Sequence, residues 1–348
     1  MLTIGIDPHK DTHCAVAVDA VARQVATRTE PARREGWGAL VAWARGRGDS
    51  ERVWVMEDCR AVSGGLERFL LDHGERVVRL APHLMAGART GVRERGKSDP
   101  IDALAVARAA LREGIENLPS AQLAGPELEV RLLVVHRERL VRQRTGLICE
   151  LRWHCHDLWP ELTIPRRALI ARRWQARLAR RLGHAPASAR VQIAGDLLAR
   201  VRELTRTISA LTEQLTGLVQ ALAPQLLAER GIGPLIAAKL IGEIAGIHRF
   251  DTDAQLARLA GCAPIPVSSG RTDRHRLDRG GNRQLNHAFH MLAMCKLVND
   301  PATAAYIAKQ RHAGKTTPEA LRCLKRHLVR RVFTLLHSPK LVPQTVCS

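Results

Sequence analysis

Four carboxylates stand where metal-assisted cleavage of a phosphodiester would need them: Asp7, Glu57, Asp99 and Asp102. Asp7 closes the strand-like run Leu2-Thr-Ile-Gly-Ile-Asp7, and Glu57 closes a second apolar run, Val53-Trp-Val-Met-Glu57. Asp99 and Asp102 lie three apart in Lys97-Ser-Asp-Pro-Ile-Asp-Ala103, which has the form of a helix start. Carboxylates at strand ends and on a first helical turn can converge on hard divalent cations. Mg2+, or Mn2+ in its place, takes oxygen ligands, and paired ions can clamp the attacking and leaving oxygens of a phosphodiester. Each acid also has an ordinary reading. Asp99 before Pro100 makes a good N-cap with proline at the first helical position, and Asp102 completes a capping-box-like spacing. Asp11 rivals Asp7, and Asp58 rivals Glu57. Capping and turns do not explain four acids in this order at edges expected to meet.

A second candidate lies downstream, in Gly261-Cys-Ala-Pro-Ile-Pro-Val-Ser-Ser-Gly-Arg271. Serine is a poor nucleophile unless it is deprotonated or metal-activated. Arg271, Arg274, Arg276 and Arg279 follow closely, and bidentate arginine suits a phosphoryl group that is gaining charge. A solvated turn on a DNA-contacting surface is the plain alternative for this segment.

The elements that must position these residues fall into three regions. Residues 1–120 are α/β, with strands expected at 2–7, 13–20, 21–28, 53–57 and 76–80, and helices at 36–45, 64–73 and 99–112. That order is ribonuclease-H-like, a fold in which a central strand and its neighbour carry acids into a cleft facing a later helix. The basic, glycine-punctuated segment Arg89-Thr-Gly-Val-Arg-Glu-Arg-Gly-Lys97 is expected to form a phosphate-gripping loop through Arg89, Arg93, Arg95 and Lys97. Residues 121–225 are helical, broken near Pro160, Pro165 and Pro186. Leu197, Val201, Leu204, Ile208, Leu211, Leu215, Leu218 and Leu222 form a heptad seam. A weaker one (Leu133, Leu140, Leu147, Leu151, Leu158) is interrupted by Arg137 and Arg144. An antiparallel hairpin or a dimer would satisfy both, and contact between subunits is the favoured expectation. Residues 226–348 are mostly helical. They open on Gly231-Ile-Gly-Pro234, which suits the turn of a helix-hairpin-helix DNA binder, with Gly231 and Gly233 bringing backbone N–H groups to a phosphate; it is equally ordinary capping chemistry.

Composition narrows the partner. The formal net charge of the 348 residues is +20, which points to a polyanion. Residues 1–130 hold 18 Lys/Arg against 19 Asp/Glu, residues 131–206 hold 17 against 6, residues 207–270 hold 4 against 5, and residues 271–348 hold 15 against 4. The excess sits in two blocks away from the acids. Arginine-rich composition bias alone would not create such blocks. No apolar stretch reaches membrane-spanning length and no charged n-region precedes an apolar core, so a cytoplasmic protein is expected. The eight cysteines form no Cys-x-x-Cys pair, which argues against disulfides. Cys149, His154, Cys155 and His156 cluster and could hold zinc, although buried free cysteine is the ordinary explanation in a helical pattern.

Ile4-Gly-Ile-Asp7, Glu57, Lys97-Ser-Asp-Pro-Ile-Asp-Ala103, Gly231-Ile-Gly-Pro234 and Leu259-Ala-Gly-Cys-Ala-Pro264 with Ser-Ser-Gly270 together resemble the DEDD transposases of the insertion-sequence one-ten family, which includes the Piv-type DNA invertases. The resemblance spans nearly the whole chain. It implies a bacterial recombinase with a RuvC-like domain at 1–120 binding Mg2+ through Asp7, Glu57, Asp99 and Asp102. It further implies a coiled-coil linker at 121–225 and a transposase domain at 226–348 whose serine forms a phosphoserine link to DNA. Ser269, just before the glycine, takes that role, with Ser268 open. The implied partners are element-end and target DNA, a structured non-coding guide RNA, and further copies of the chain as dimers and tetramers. A rival of the same fold is a junction-resolving endonuclease using metal-activated water; a rival of another class is a non-catalytic nucleic-acid-binding assembly protein.

Overall fold

The computed structural model describes residues 1–47, 51–57, 60–80, 82–85, 98–118, 120, 125–269, 272–278 and 280–338. The N-terminal region builds one five-stranded sheet. Its strands are β1 (Leu2–Pro8), β2 (Thr12–Val18), β3 (Gln24–Pro31), β4 (Arg52–Glu57) and β5 (Arg76–Leu80), in the order β3-β2-β1-β4-β5. β1, β2 and β3 form an antiparallel meander, whereas β4 pairs parallel to both β1 and β5. Helices α1 (Arg34–Arg45) and α2 (Arg60–Asp72) connect the later strands. A short α3 (Pro82–Met85) and then α4 (Asp99–Glu113) follow. This mixed α/β order agrees with the ribonuclease-H-like expectation.

One strand is displaced from its expected place at 21–28. The Asp19 side chain accepts hydrogen bonds from the backbone N–H groups of Val21 (3.0 Å) and Arg23 (2.8 Å), and Ala22 has φ +62. That local turn occupies residues 19–23 and delays β3 to Gln24.

Strand alternation assigns the two faces. Leu2, Ile4, Ile6, Ala15, Ala17, Trp54 and Met56 pack with Leu40, Val41, Leu66 and Leu70 of α1 and α2. Val53 and Val55 pack instead with Ala105, Val106 and Ala109 of α4, and Cys14, Val16 and Val18 pack with Ala103 and Ala107. By parity, Asp7 and Glu57 belong to the α4 face.

The remaining chain is helical around two cores. Helices α5 (Pro126–Leu158) and α7 (Ala189–Leu222) lie antiparallel, bridged at one end by α6 (Arg172–Gly183). Arg137 donates to Thr212 Oγ1 (2.8 Å) and Arg144 to Thr205 Oγ1 (3.3 Å), so the residues that interrupt the first seam find partners on the second. Leu197, Val201, Ile208 and Leu215 are buried within this one chain, while Leu204, Leu211, Leu218 and Leu222 are half-buried. The hairpin alternative is therefore realised without a second subunit. Cys149 is exposed and Cys155 buried. Among the described residues they form no ligand group with His154 and His156.

The last region contains α8 (Pro224–Leu227), α9 (Pro234–Ile244) and α10 (Asp253–Leu259). A hairpin of β6 (Ile265–Ser269) and β7 (Thr272–Arg276) leads to α11 (Arg283–Asn299), α12 (Pro301–His312) and α13 (Thr317–His337). Val130, Val134, Leu215 and Val219 share its core with Leu240, Phe289 and Val329, which ties the long helices to it. No helix of the described residues is long and apolar enough to cross a membrane.

The packing of α4 turns on Gly5. A Cβ there would lie 2.6 Å from the Ala107 backbone nitrogen and closer still to the Ala103 carbonyl oxygen, so only glycine lets the helix backbone rest on the strand. Gly5→Ala should cost about 3 kcal/mol or more in urea unfolding, the upper range of overpacking. A loss within about 0.5 kcal/mol, the level of a surface change, would contradict this role.

Candidate active site

The acids of the N-terminal region converge because the sheet parity and α4 direct them to one place. Asp7 sits near the end of β1, Glu57 ends the adjacent parallel strand β4, and α4 begins at Asp99 directly over β1. The expected capping arrangement differs in detail. Ser98 is the N-cap, Asp99 is already helical, and the Asp102 N–H donates to the Ser98 carbonyl (3.0 Å). Neither aspartate is the N-cap; both stand in the first turn of the helix, from which their charges act on Asp7.

Asp7 carries the clearest electrostatic sign of this convergence. Burial is the largest cause raising its pKa above the usual aspartate value. The charges of Asp102, Asp99 and Glu57 raise it further, against a lowering contribution from His9. The side chain is 18% exposed, yet its Oδ2 atom is buried and has no hydrogen-bond partner. Glu75, at the opposite end of the sheet, is the contrast. Burial would raise its pKa, but hydrogen bonds from Arg52, Trp54 and Arg45 outweigh this and hold it below the ordinary range. This fold surrounds one buried carboxylate with donors and leaves an oxygen of the other, Asp7 Oδ2, without one.

His9 completes the group. Its Nδ1 is 3.7 Å from Asp7 Oδ2 and its Nε2 is 3.8 Å from Asp99 Oδ1. Asp7, His9 and Asp99 each offer a ligand atom, all within 4.8 Å of one another. Glu57 and Asp102 act on Asp7 by charge but stand outside that tight set. His9 lies in the short connection between β1 and β2, to which the sequence analysis assigned no function; its position two residues beyond Asp7 was the available signal. A buried, unbonded oxygen among negative charges is what a divalent ion would satisfy, and these residues fit one.

The downstream serines, for which a solvated turn was the plain alternative, lie on a β-hairpin. Ser268 pairs with Asp273 and Ser269 with Thr272, which places Ser269 at the hairpin tip. The β-branched Ile265 and Val267 favour the strand, and Pro266 is tolerated because a two-stranded hairpin consists only of edges. Arg276 is exposed at the foot of β7. The side chains of Ser268, Ser269 and Arg274 lie outside the described residues, as do Arg89, Arg93, Arg95, Lys97, Arg271 and Arg279 in full. Gly231 has φ +90 and packs against Lys296, and the exposed Gly233 caps α9 ahead of Pro234.

Two family models match the chain. One describes the IS110-type DEDD transposase and covers residues 4–160; the other describes the IS116/IS110/IS902 transposase family and covers residues 223–308. The chain belongs to the IS110 family of DEDD transposases. All four acids fall in the first match, and Gly231, Gly233 and Ser269 fall in the second. The IS116 insertion-element 44.8 kDa protein of Streptomyces clavuligerus is 28% identical, over 97% of this chain and 95% of its own. The IS900 insertion-element 42 kDa protein of Mycobacterium paratuberculosis is 24% identical over 95% and 94%. The IS110 insertion-element 43.6 kDa protein of Streptomyces coelicolor is 38% identical over 40% of this chain and 34% of its own. The chain is thus a DNA transposase of insertion-sequence type, an enzyme that cuts and rejoins DNA, and its acidic cluster suits the divalent metal that DEDD transposases use.

The raised Asp7 pKa has a signed consequence. Between the ordinary aspartate value and the raised one, the folded state binds more protons than the unfolded state, so this group's contribution to stability falls as pH rises through that window. In the metal-free transposase at neutral pH, Asp7→Asn should therefore be more stable, on the order of 1 kcal/mol. The difference should vanish below the ordinary aspartate pKa. Added Mg2+ or Mn2+ should raise the melting temperature of the wild type and not of Asp7→Asn. Equal metal shifts in both would contradict the site.

Proposed function

We propose that this transposase cuts DNA through a phosphoserine intermediate, with Asp7, Glu57, Asp99 and Asp102 holding Mg2+ or Mn2+ and Ser269 as the nucleophile. The observation that carries the metal half is the buried, unbonded Asp7 oxygen facing charges from β4 and α4. The position of Ser269 at a hairpin tip, followed by a basic segment, supports the nucleophile half. A bound divalent ion would supply Lewis-acid polarisation of the scissile phosphate and lower the pKa of a hydroxyl brought to it.

The chain's own groups then account for the exchange. The Ser269 Oγ–P bond forms as the P–O bond to the leaving strand breaks. The serine proton passes to solvent, and the departing oxygen takes up a proton. The ester conserves the bond energy, so attack by a free hydroxyl of another strand reverses the step and joins strands without ATP. Arg271, Arg274, Arg276 and Arg279 hold the phosphoryl charge. Arg89, Arg93, Arg95 and Lys97, with Gly231 and Gly233, grip backbone phosphates.

The acids and the serine lie in different regions of the chain, so a composite site forms on assembly, and a second subunit is a natural donor of the serine. The half-buried Leu204 and Leu211 leave part of the heptad seam for such a contact. Family resemblance extends the reading to dimers or tetramers guided by a structured non-coding RNA, with which the two basic blocks are compatible.

Denaturing gels of protein incubated with element-junction DNA and Mg2+ separate the alternatives. Wild type and Ser268→Ala should give denaturant-stable protein–DNA adducts, and Ser269→Ala should give none. Adducts with Ser269→Ala would reassign the nucleophile. Cleavage persisting in both variants without adducts would mean water-based hydrolysis, the junction-endonuclease chemistry.

A further inference from the structure

The C-terminal region buries three lysines among the described residues, and two of them are neutralised. Lys239, 9% exposed, donates to Glu138 at 2.6 Å, and Lys296, also 9% exposed, donates to Glu229 at 2.7 Å. Lys325 is the most buried at 6% exposed, and its hydrogen bond goes to a neutral amide, Asn286 Oδ1, at 2.8 Å. Among the described residues no carboxylate stands within ion-pair distance of it. Burial holds its pKa below the ordinary lysine value, and the nearby Arg322 lowers it further, against a raising contribution from Cys262. A buried ammonium without a counter-charge is costly.

Lys325 lines a cavity of about 710 Å³ between the foot of the serine hairpin and helices α12 and α13. Arg276, Arg322 and Lys315 line the same space. Two acids share the wall, but both are engaged locally. Asp278 accepts from the Gly280 N–H (2.9 Å), and Glu319 closes the capping box of α13 with Thr316. On one side of the cavity Tyr306 and His327 form an edge-to-face pair with ring centroids 5.5 Å apart. Several cations at the wall, Lys325 among them buried without a counter-charge, and an aromatic pair beside them present the two surfaces that a nucleotide needs, for phosphate and base. The volume lies in the range of small-molecule sites and accommodates a unit of that size.

We propose that this cavity is a binding site for an unpaired nucleotide of a DNA strand, its phosphate held by Lys325 and its base set against Tyr306. β7 contributes His275 and Arg276 to the wall, so the hairpin that ends in Ser269 is also one side of the cavity. The site rests on the reading above that this region handles DNA. It adds a place that holds the strand beside the cut, separate from the acidic cluster.

The test is fluorescence anisotropy of a labelled single-stranded DNA of about 10 nucleotides with the full chain in EDTA, so that the acids and metal take no part. Lys325→Met should weaken binding about tenfold, the effect of one lost charge-assisted hydrogen bond. It should also lower the slope of log affinity against log salt by about 0.7, one phosphate on a single strand. Its melting temperature should equal or exceed that of the wild type, because a buried unpaired charge is removed, which separates the effect from misfolding. Tyr306→Ala should weaken binding about tenfold and Tyr306→Phe little. Unchanged affinity and slope in Lys325→Met, with the wild type binding well, would overturn the cavity site alone. No binding by the wild type would overturn the DNA-handling reading as well. Lys325-dependent binding of a single-stranded RNA but not of the DNA would overturn the assignment to DNA.

Discussion

The close contact between the backbone of α4 and Gly5 is the constraint on which the N-terminal region depends. A helix normally stands off a sheet by the thickness of two side-chain layers. Here one layer is absent at Gly5, and the facing residues Ala103 and Ala107 are as small as a helix allows. The first turn of α4 is thereby lowered toward the end of β1, where Asp99 and Asp102 bear on Asp7. The arrangement opposes stability locally, because three other carboxylates act on Asp7 by charge and its Oδ2 atom is buried without a donor. A fold retains such an arrangement where function requires it.

The acids at residues 7 and 57 could be placed because period-2 apolar runs end at them, and those at 99 and 102 because Ser-Asp-Pro marks a helix start. The close approach at Gly5 was not legible, since a glycine inside a strand ordinarily signals only a weak position. His9 was hidden in a segment that scans as a turn. The third strand was misplaced by three residues because the Asp19 side chain captures two backbone N–H groups, a local competition that hydrophobic periodicity does not register.

The second half of the chain follows the same pattern. The heptad seam was evident, but its partner was not, because Arg137 and Arg144 look disruptive until Thr212 and Thr205 are seen opposite them. The serine segment has the composition of a loop, yet it pairs as a hairpin. Lys325 lies in a strongly basic helix, where any lysine would be taken for a solvent-facing DNA contact; only the fold shows that this one is turned inward. Periodicity thus placed the N-terminal strands and helices and the acids at their ends, while the serine hairpin, the close packing and the unpaired charges emerged from the three-dimensional arrangement.

The central claim is that carboxylates from β1, β4 and the start of α4 share bound metal. Anomalous diffraction from crystals soaked in Mn2+ tests it most directly. The account predicts an anomalous peak directly coordinated by oxygens of Asp7 and Asp99, close to Glu57 and Asp102, and its loss in Asp7→Asn. Manganese bound only elsewhere, or a peak that persists in Asp7→Asn, would contradict it.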